Sequence, residues 1–307
     1  MTKSDRQRRP TPSVEVRPEK SDERIVRANG VDLCVQTFGD PAGPPILLVA
    51  GTACSMDWWE EGFCELLADG HRFVVRYDHR DTGRSVSYEP GAPPYTLRDL
   101  AEDAVGVLDA LGLERAHLVG MSMGGWISQL VALDHPDRVA SITLVSTRPT
   151  AHGPSDPDLP EMSEKLQVVF ADEEAAEPDW SDRGAVIGYI VEGERPFAGS
   201  RPFDEAAKQE IVASVFDRTM NIAASMTNHF VIDGGDRWRE RLGEIGAPTL
   251  VIHGTEDPLF PYDNALALQK EIPGAQLLPL ERVGHETPPR DLWYVVVPAI
   301  LEHTSSD

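Results

Sequence analysis

The chain is poor in cysteine and in basic residues, and both shortages limit what it can be. Its 307 residues include three cysteines, Cys34, Cys54 and Cys64, an odd number without metal-ligand spacing. We expect reduced thiols rather than a disulfide framework, a metal site or a catalytic cysteine. Against 51 acidic residues there are 28 lysine and arginine residues, which gives a formal charge of −23. Because phosphate groups attract basic surfaces, this balance argues against nucleic-acid partners and anionic membranes.

Long hydrophobic runs are also missing. No apolar segment approaches the length that spans a bilayer. Residues 1–23 carry many charges and three prolines but no apolar stretch of the kind that a signal peptide requires. We therefore interpret residues 1–23 as a disordered tail and expect a cytoplasmic protein with no membrane partner. No nucleotide-binding or metal-ligand pattern is present either, so we expect no cofactor and no metal.

The remainder of the chain is rich in alternating apolar segments. Hydrophobic residues make up 41% of the sequence and charged residues 26%, the composition of a soluble globular protein. Between residues 24 and 147, strand-like apolar runs alternate with segments of helical period, and Asn29 and Gly30 mark a hairpin near the start. Such repetition predicts a mostly parallel sheet with helices on both faces.

Strand signals disappear after this repeat and return later. Residues 148–243 begin with a loop rich in proline and aspartate, and helix-compatible segments follow. A strand pattern returns at residues 248–254, and an amphipathic helix closes the chain. We therefore predict an α/β fold whose core comprises residues 24–147 and 244–307, with residues 148–243 inserted as an α-helical cap.

The segment GMSMG, residues 120–124, falls between a predicted strand and a predicted helix. In such a turn the central serine is strained, and side chains in place of the glycines would clash across the turn. The pattern also occurs in glycine-rich turns whose serine is inert, so the prediction depends on the strand and helix around it. We predict Ser122 as a nucleophile and the backbone amides of Met123 and Thr52 as donors to an oxyanion.

A serine nucleophile needs a general base and a carboxylate that orients the base. His285 follows the last predicted strand and is the predicted base, with His79 as its main rival. Asp257 follows the preceding strand and is the predicted acid, although the adjacent Glu256 is an alternative. Because the carboxyl ends of parallel strands form the ligand crevice, we expect the nucleophile, the base and the acid at one edge of the sheet.

Four short motifs follow one another in an order typical of one superfamily. They are VAGTA at 49–53, GMSMGG at 120–125, HGTEDP at 253–258 and VGHE at 283–286. With these motifs the chain resembles the α/β-hydrolase superfamily over nearly its whole length after the tail. The resemblance implies a catalytic triad of Ser122, Asp257 and His285, in the chain order expected for that superfamily.

One segment, residues 78–85, narrows the resemblance to a subgroup of the superfamily. Many members of the superfamily read D-x-R-G-x-G-x-S after the third strand, whereas Asp81 here replaces the usual glycine. Together with VALDHPDR at 131–138, this segment looks like the aclacinomycin methylesterase-like subgroup, which removes a methyl ester from anthracycline polyketides. We expect Asp78 and Arg80 of the segment to brace the sheet rather than to take part in catalysis. Haloalkane dehalogenases and epoxide hydrolases of this fold carry aspartate in place of Ser122, so neither activity is expected.

The resemblance implies a serine hydrolase that cleaves a carboxylic ester of a small molecule through an acyl-enzyme. We expect a methyl ester of a polyketide-like or other bulky apolar molecule. The same triad also serves C–C bond hydrolysis, thioester hydrolysis, acyl transfer and perhydrolysis, and a ligand-binding protein on a hydrolase scaffold is a further alternative. The sequence neither separates these chemistries nor indicates the oligomeric state.

Substrate contacts are expected beside the nucleophile and in the cap. Met121 and Trp58 are the candidates near the nucleophile, where methionine suits an adaptable apolar pocket. Tyr189, Phe216 and Met220 are the candidates in the cap. The first half of the cap is strongly acidic. We expect it to form solvated helix faces, the alternative being an entrance that favours neutral or cationic substrates.

Overall fold

The structure, a computed structural model, describes residues 20–151, 156–172 and 176–305. The strands within these ranges are β1 (Arg24–Ala28), β2 (Val31–Phe38), β3 (Pro45–Val49), β4 (Phe73–Tyr77), β5 (Ala116–Met121), β6 (Val139–Val145), β7 (Thr249–Gly254) and β8 (Gln276–Leu280). They form one eight-stranded sheet in the order β1-β2-β4-β3-β5-β6-β7-β8. The β2 strand is antiparallel to β1 and β4, and the other neighbouring pairs are parallel. The predicted mostly parallel sheet is confirmed.

Helices cover both faces of this sheet, as predicted. Those of the described residues are α1 (Glu61–Asp69), α2 (Leu97–Leu111), α3 (Met123–Asp134), α4 (Glu164–Phe170), α5 (Arg183–Glu194), α6 (Glu205–Arg218), α7 (Ile222–Val231), α8 (Asp263–Glu271) and α9 (Trp293–His303). Helices α2, α3 and α8 contribute to one buried cluster, and α1 and α9 contribute to a second. Leu47 and Leu48 of β3 belong to different clusters, because successive strand residues point to opposite faces. None of the described helices is both long enough and apolar enough to cross a membrane.

Local sequence signals determine several element ends. The predicted hairpin forms, with Ala28 of β1 opposite Val31 of β2. Asn29 and Gly30 between them have φ values of 44° and 74°, the left-handed conformation that such a turn requires and that these residue types tolerate. Helix α2 begins at a capping box on Thr96, whose hydroxyl accepts from a backbone amide of the first turn.

The predicted disordered tail, residues 1–23, falls largely outside the described residues, which begin at Lys20. Lys20 forms an isolated bridge with the end of β2. The Glu23 carboxylate accepts hydrogen bonds from Arg218, in the predicted cap. Residues 20–23 therefore lie against the folded chain and differ from the predicted tail, because their partners are distant in sequence and a hydrophobic pattern does not reveal them.

The segment between β6 and β7 contains α4, α5, α6 and α7. Helices α5, α6 and α7 share a small apolar cluster with Trp58, which comes from the loop after β3. Ile232 and Trp238, by contrast, belong to the buried cluster of α2 and α3. The residues that follow α7 therefore pack against the core of the sheet. Residues 152–155 and 173–175 of this segment lie outside the described residues.

Candidate active site

Ser122 lies in a strained turn between β5 and α3. Its φ and ψ are 53° and −115°, outside the regions that residues with a side chain normally occupy. A Cβ at Gly120 would lie 2.1 Å from the Gly124 carbonyl oxygen, and a Cβ at Gly124 would lie 2.2 Å from that of Val49. The close approach of the backbone therefore requires both flanking glycines. The Thr147 hydroxyl donates a 2.8 Å hydrogen bond to the Ser122 carbonyl and helps to hold the turn.

Ser122, His285 and Asp257 form a continuous hydrogen-bonded chain. Ser122 Oγ lies 3.0 Å from His285 Nε2, and His285 Nδ1 lies 2.8 Å from Asp257 Oδ2. An ionised carboxylate only accepts hydrogen bonds, so Nδ1 donates to Asp257 and Nε2 accepts from the serine hydroxyl. The structure thus brings together the three side chains nominated from the sequence, which follow β5, β7 and β8.

The Asp257 carboxylate is buried and ionised. Burial by itself raises the pKa of this carboxyl, but the interactions with His285, together with those of His253 and the Phe260 amide, outweigh burial and place the pKa of Asp257 below its ordinary value. Its other oxygen accepts from the amides of Leu259, at 2.9 Å, and Phe260, at 2.8 Å. The alternative acid, Glu256, is exposed and accepts from a backbone amide of the helical insertion instead.

Backbone carbonyls hold the rival histidines. His79 is fully buried, its Nε2 lies 3.1 Å from the Ala50 carbonyl oxygen, and burial lowers its pKa to about 3. His253 Nε2 lies 2.8 Å from the Phe260 carbonyl oxygen, and burial lowers the pKa of His253 as well. Of the histidines in the described ranges, His285 alone is hydrogen-bonded to the serine hydroxyl.

The predicted oxyanion donors are the backbone amides of Met123, which follows the serine in sequence, and of Thr52, in the loop after β3. Met123 is the first residue of α3, so its amide has no acceptor within the helix and lies at the positive end of the helix dipole. Thr52 follows β3, and a Cβ at the preceding Gly51 would lie 3.5 Å from Ser122 Cβ. The amide of the next residue, Ala53, donates to a histidine of α7. Thr52 and Ser122 line the same cavity, and the Thr52 amide stays the predicted donor from this loop.

A cavity of about 880 Å³ opens onto the Ser122–His285 pair. Its wall combines the loop after β3 with residues of α4, α5 and α7. The candidate substrate contacts that line it are Met121, Trp58 and Tyr189. The cavity therefore joins the hydrogen-bonded chain to the helical insertion.

Phe216 and Met220 do not line this cavity, contrary to our expectation. On α6 it is Val215 that lines the cavity, and each helical residue is rotated by about 100° from the previous one, so Phe216 packs into the apolar cluster of the insertion. Met220 lies beyond the end of α6 and is 70% exposed. Composition identifies apolar residues in a helix but does not fix which of two neighbours faces a ligand.

Charged residues give part of the cavity wall a negative balance. The lining carboxylates are those of Glu161, Glu192, Glu194 and Glu286. Lys208 lies between two of them, with Nζ 3.4 Å from Glu194 and 3.6 Å from Glu286. Burial raises the pKa of Glu286, which directly follows His285, and the Lys208 charge opposes that rise. Lys208 thus compensates part of the negative charge beside the histidine.

Sequence reasoning did not single out two residues that border the hydrogen-bonded chain. The Phe260 ring packs edge-on against the His285 ring, with the ring centres 4.9 Å apart. The same turn that supplies Asp257 supplies Phe260, so the turn motif HGTEDPLFP contained a usable signal. His229 of α7 lines the cavity as well, but it is a single histidine in a helix and no pattern marks it.

The chain is similar to known proteins over most of its length. Residues 44–288 match the family model described as alpha/beta hydrolase fold. Two relatives are 33% identical, the rhodomycin D methylesterases DauP of Streptomyces sp. (strain C5), over 281 residues, and DnrP of Streptomyces peucetius, over 287 residues. Each comparison covers 86% of this chain and 92% of the relative.

Solved structures agree at the level of the fold. The esterase EaEST from Exiguobacterium antarcticum has a TM-score of 0.74 and 20% identity, over 92% of this chain and 99% of the other. At this identity the likeness concerns the fold alone. The match to the family model, by contrast, spans most of the sequence and contains the four motifs from which the superfamily was predicted. This chain belongs to the alpha/beta-hydrolase fold family.

Proposed function

We propose that this protein is a carboxylic ester hydrolase that acts through a covalent acyl-enzyme on Ser122. The observation that carries the proposal is the hydrogen-bonded chain from Ser122 through His285 to Asp257, which borders a cavity of about 880 Å³. Similarity to two methylesterases favours ester cleavage over the other reactions considered for this triad.

In the proposed reaction, His285 Nε2 accepts the proton of the Ser122 hydroxyl while Oγ attacks the ester carbonyl carbon. The amides of Met123 and Thr52 stabilise the tetrahedral oxyanion that forms. His285 then gives the proton to the leaving oxygen, which departs as an alcohol. A water molecule, deprotonated by the same nitrogen, hydrolyses the acyl-enzyme and releases the carboxylic acid.

Asp257 supports both steps electrostatically. His285 becomes an imidazolium in each, and the buried carboxylate at Nδ1 stabilises that charge. Because the pKa of Asp257 is below its ordinary value, the carboxylate stays ionised at neutral pH. The amides of Leu259 and Phe260 hold its other oxygen, which fixes the direction in which the carboxylate meets the imidazole.

We propose a methyl ester of a polyketide-like or other bulky apolar small molecule as the substrate class. The two relatives are named rhodomycin D methylesterases. A volume of about 880 Å³ is in the upper range for small-molecule sites, and Trp58, Tyr189 and Phe260 supply aromatic walls. In this proposal residues 148–243 act as the cap that selects substrate. The three free thiols support a cytoplasmic location.

Labelling with a fluorophosphonate, read by intact mass, tests the proposal. Wild type, Ser122→Ala and Ser141→Ala are compared, together with turnover of a panel of methyl and nitrophenyl esters. Ser141 is a matched control, because its hydroxyl lies 2.8 Å from the buried His117 but outside the cavity. We expect label and turnover in wild type and Ser141→Ala and neither in Ser122→Ala. Label without ester turnover would favour another reaction of the triad, and label on Ser122→Ala would refute the nucleophile.

A further inference from the structure

His229 of α7 connects two loops at the edge of the cavity. Its side chain is buried, and both ring nitrogens are engaged. Nδ1 lies 3.1 Å from the Ala53 amide nitrogen, in the loop after β3, and Nε2 lies 2.8 Å from the Arg80 carbonyl oxygen, in the loop after β4. A carbonyl only accepts and an amide only donates, so Nε2 carries the proton and Nδ1 is the acceptor. One imidazole ring therefore fixes both loops.

The hydrogen bond from the Ala53 amide to His229 involves a residue with a strained backbone. Ala53 has a φ of 59°, the left-handed region that a residue with a Cβ adopts at a cost. A strained residue of this kind persists when its surroundings hold it. Thr52, the proposed oxyanion donor, directly precedes it. The His229 hydrogen bond thus acts on the peptide next to the one whose amide must point at the substrate.

His229 is itself held in place. Burial lowers its pKa to about 4, so the ring is neutral at pH 7 and Nδ1 stays an acceptor. The adjacent Asn228 donates a 2.9 Å hydrogen bond to Asp81, which also accepts from the Tyr95 hydroxyl at 2.6 Å. These contacts give a structural reason for Asp81 where many members of the superfamily have glycine. Its carboxylate anchors the helix that carries His229.

The second contact of His229 is also rigid. The Arg80 side chain makes two 2.7 Å hydrogen bonds with Asp103 of α2. Both side chains are buried, so the backbone of Arg80 has little freedom. The Nε2 contact therefore fixes the imidazole against the loop after β4. The Nδ1 contact in turn fixes the loop after β3 relative to the imidazole.

We propose that His229 is a positioning residue for ester hydrolysis, which sets the Thr52 amide towards the oxyanion by holding the Ala53 amide. The inference rests on the proposed function, because it presupposes that the Thr52 amide stabilises a tetrahedral intermediate. His229 takes no part in proton transfer. Since it belongs to α7, the placement of the helical insertion and the geometry of the oxyanion donors are linked.

This role predicts a specific kinetic signature. The oxyanion forms only in the transition state, so a misplaced donor lowers kcat while substrate binding, and with it KM, changes little. Removing a whole oxyanion donor lowers kcat by about 10²- to 10³-fold. A displaced donor keeps part of its effect, so we expect a loss of about 10- to 100-fold when the Ala53 contact is broken.

Two substitutions at His229 separate its two contacts. His229→Asn places an amide oxygen near the position of Nδ1 and retains an acceptor for the Ala53 amide. His229→Gln places its amide near the position of Nε2 and retains the contact to the Arg80 carbonyl instead. We expect His229→Gln to lose about 10- to 100-fold in kcat and His229→Asn to retain most of it, with little change in KM for either. Affinity for a boronic acid, which mimics the tetrahedral intermediate, should fall in parallel with kcat.

His303→Gln is the matched control. His303 Nε2 lies 3.1 Å from the carbonyl oxygen of Ile142, in the middle of β6, and neither residue lines the cavity. We expect this variant to lower Tm without changing kcat. An equal loss of kcat in His229→Asn and His229→Gln would overturn the inference, as would a rise in KM at constant kcat, which would make His229 a substrate contact. A wild type that neither labels nor turns over esters would remove the proposed function, and this inference with it.

Discussion

Two buried serine–histidine pairs of this molecule have similar hydrogen bonds and different surroundings. Ser122 Oγ lies 3.0 Å from His285 Nε2, and Ser141 Oγ lies 2.8 Å from His117 Nδ1. The first pair continues to Asp257 and borders the cavity, whereas neither member of the second pair lines it. A short serine–histidine contact is therefore not what marks a candidate nucleophile. The orienting carboxylate and the access to a ligand mark it.

The position of each pair along the strands explains the difference. His117 lies near the amino end of β5, and Ser122 directly follows its carboxyl end, about 16 Å further along an extended strand. Loops at the carboxyl ends of parallel strands enclose a ligand, and residues further back are covered by helices. Burial, helped by nearby charges such as Arg72, lowers the pKa of His117 to about 4. Its ring is therefore neutral at pH 7 and serves packing.

Replacing the two histidines in parallel gives the largest contrast. We expect His285→Gln to lower kcat for a methyl ester by about 10⁴- to 10⁶-fold, because the proton acceptor for Ser122 is lost. We expect His117→Gln to leave kcat unchanged and to lower Tm, since it disrupts a buried hydrogen bond to Ser141. Steady-state kinetics and calorimetry on both variants check this, and a comparable loss of kcat in His117→Gln would erase the distinction between the pairs.

Replacing the Asp257 carboxylate should have the next largest effect on kcat. Asp257→Asn retains the shape of the side chain but offers an amide that can donate to Nδ1, which favours the tautomer with its proton on Nε2, facing the serine. We expect kcat to fall by about 10⁴-fold. Glu256→Gln is the matched control, because Glu256 is adjacent and exposed, and its kcat should equal that of wild type. If Asp257→Asn kept wild-type kcat, the Ser122–His285 pair would differ from the Ser141–His117 pair only in its access to the cavity.

The Phe260 ring provides a smaller distinction between the pairs. It packs edge-on against His285, and an aromatic pair of this kind contributes about 0.5–1.5 kcal/mol beyond its buried area. Phe260→Leu keeps the backbone amide that binds Asp257 and removes the ring contact. We therefore expect kcat to fall by about 2- to 10-fold, measured with Tm as a check on folding. An unchanged kcat would show that the carboxylate orients the imidazole without help from the ring.

The sequence predicted the features that depend on short motifs and on the order of the strands. Ser122, Asp257 and His285 each follow a strand and belong to a short motif, so the order of the strands places them together. The rotation of α6 is not local information, because it depends on how the helix packs, and the sequence accordingly nominated Phe216 where Val215 lines the cavity. Periodicity identifies a helix but not the neighbour towards which each residue turns.

Hydrogen bonds between residues far apart in the sequence could not be predicted, because they too depend on how the chain folds. The Ala53 amide and His229 are 176 positions apart, and Asn228 is 147 positions from Asp81. The departure at Asp81 from the superfamily pattern was visible, but its partner was not. A single polar residue has many possible partners in a chain of this length, and only the folded arrangement selects one.

The last prediction concerns the pH dependence of stability that the buried His117 confers. The pKa of His117 is about 4 in the folded protein, against an ordinary value of 6.5. Between these values the unfolded chain binds a proton that the folded chain does not. Stability therefore falls as the pH is lowered from about 6.5 to about 4, by at most about 1.4 kcal/mol per pH unit for this one group.

His117→Gln removes this proton uptake, while the other buried histidines remain in both proteins. We expect the variant to have a lower Tm than wild type at pH 7 and to lose less Tm than wild type as the pH is lowered to about 4.5. Calorimetry across this pH range compares the two slopes. Equal slopes would mean that His117 binds its proton equally in both states.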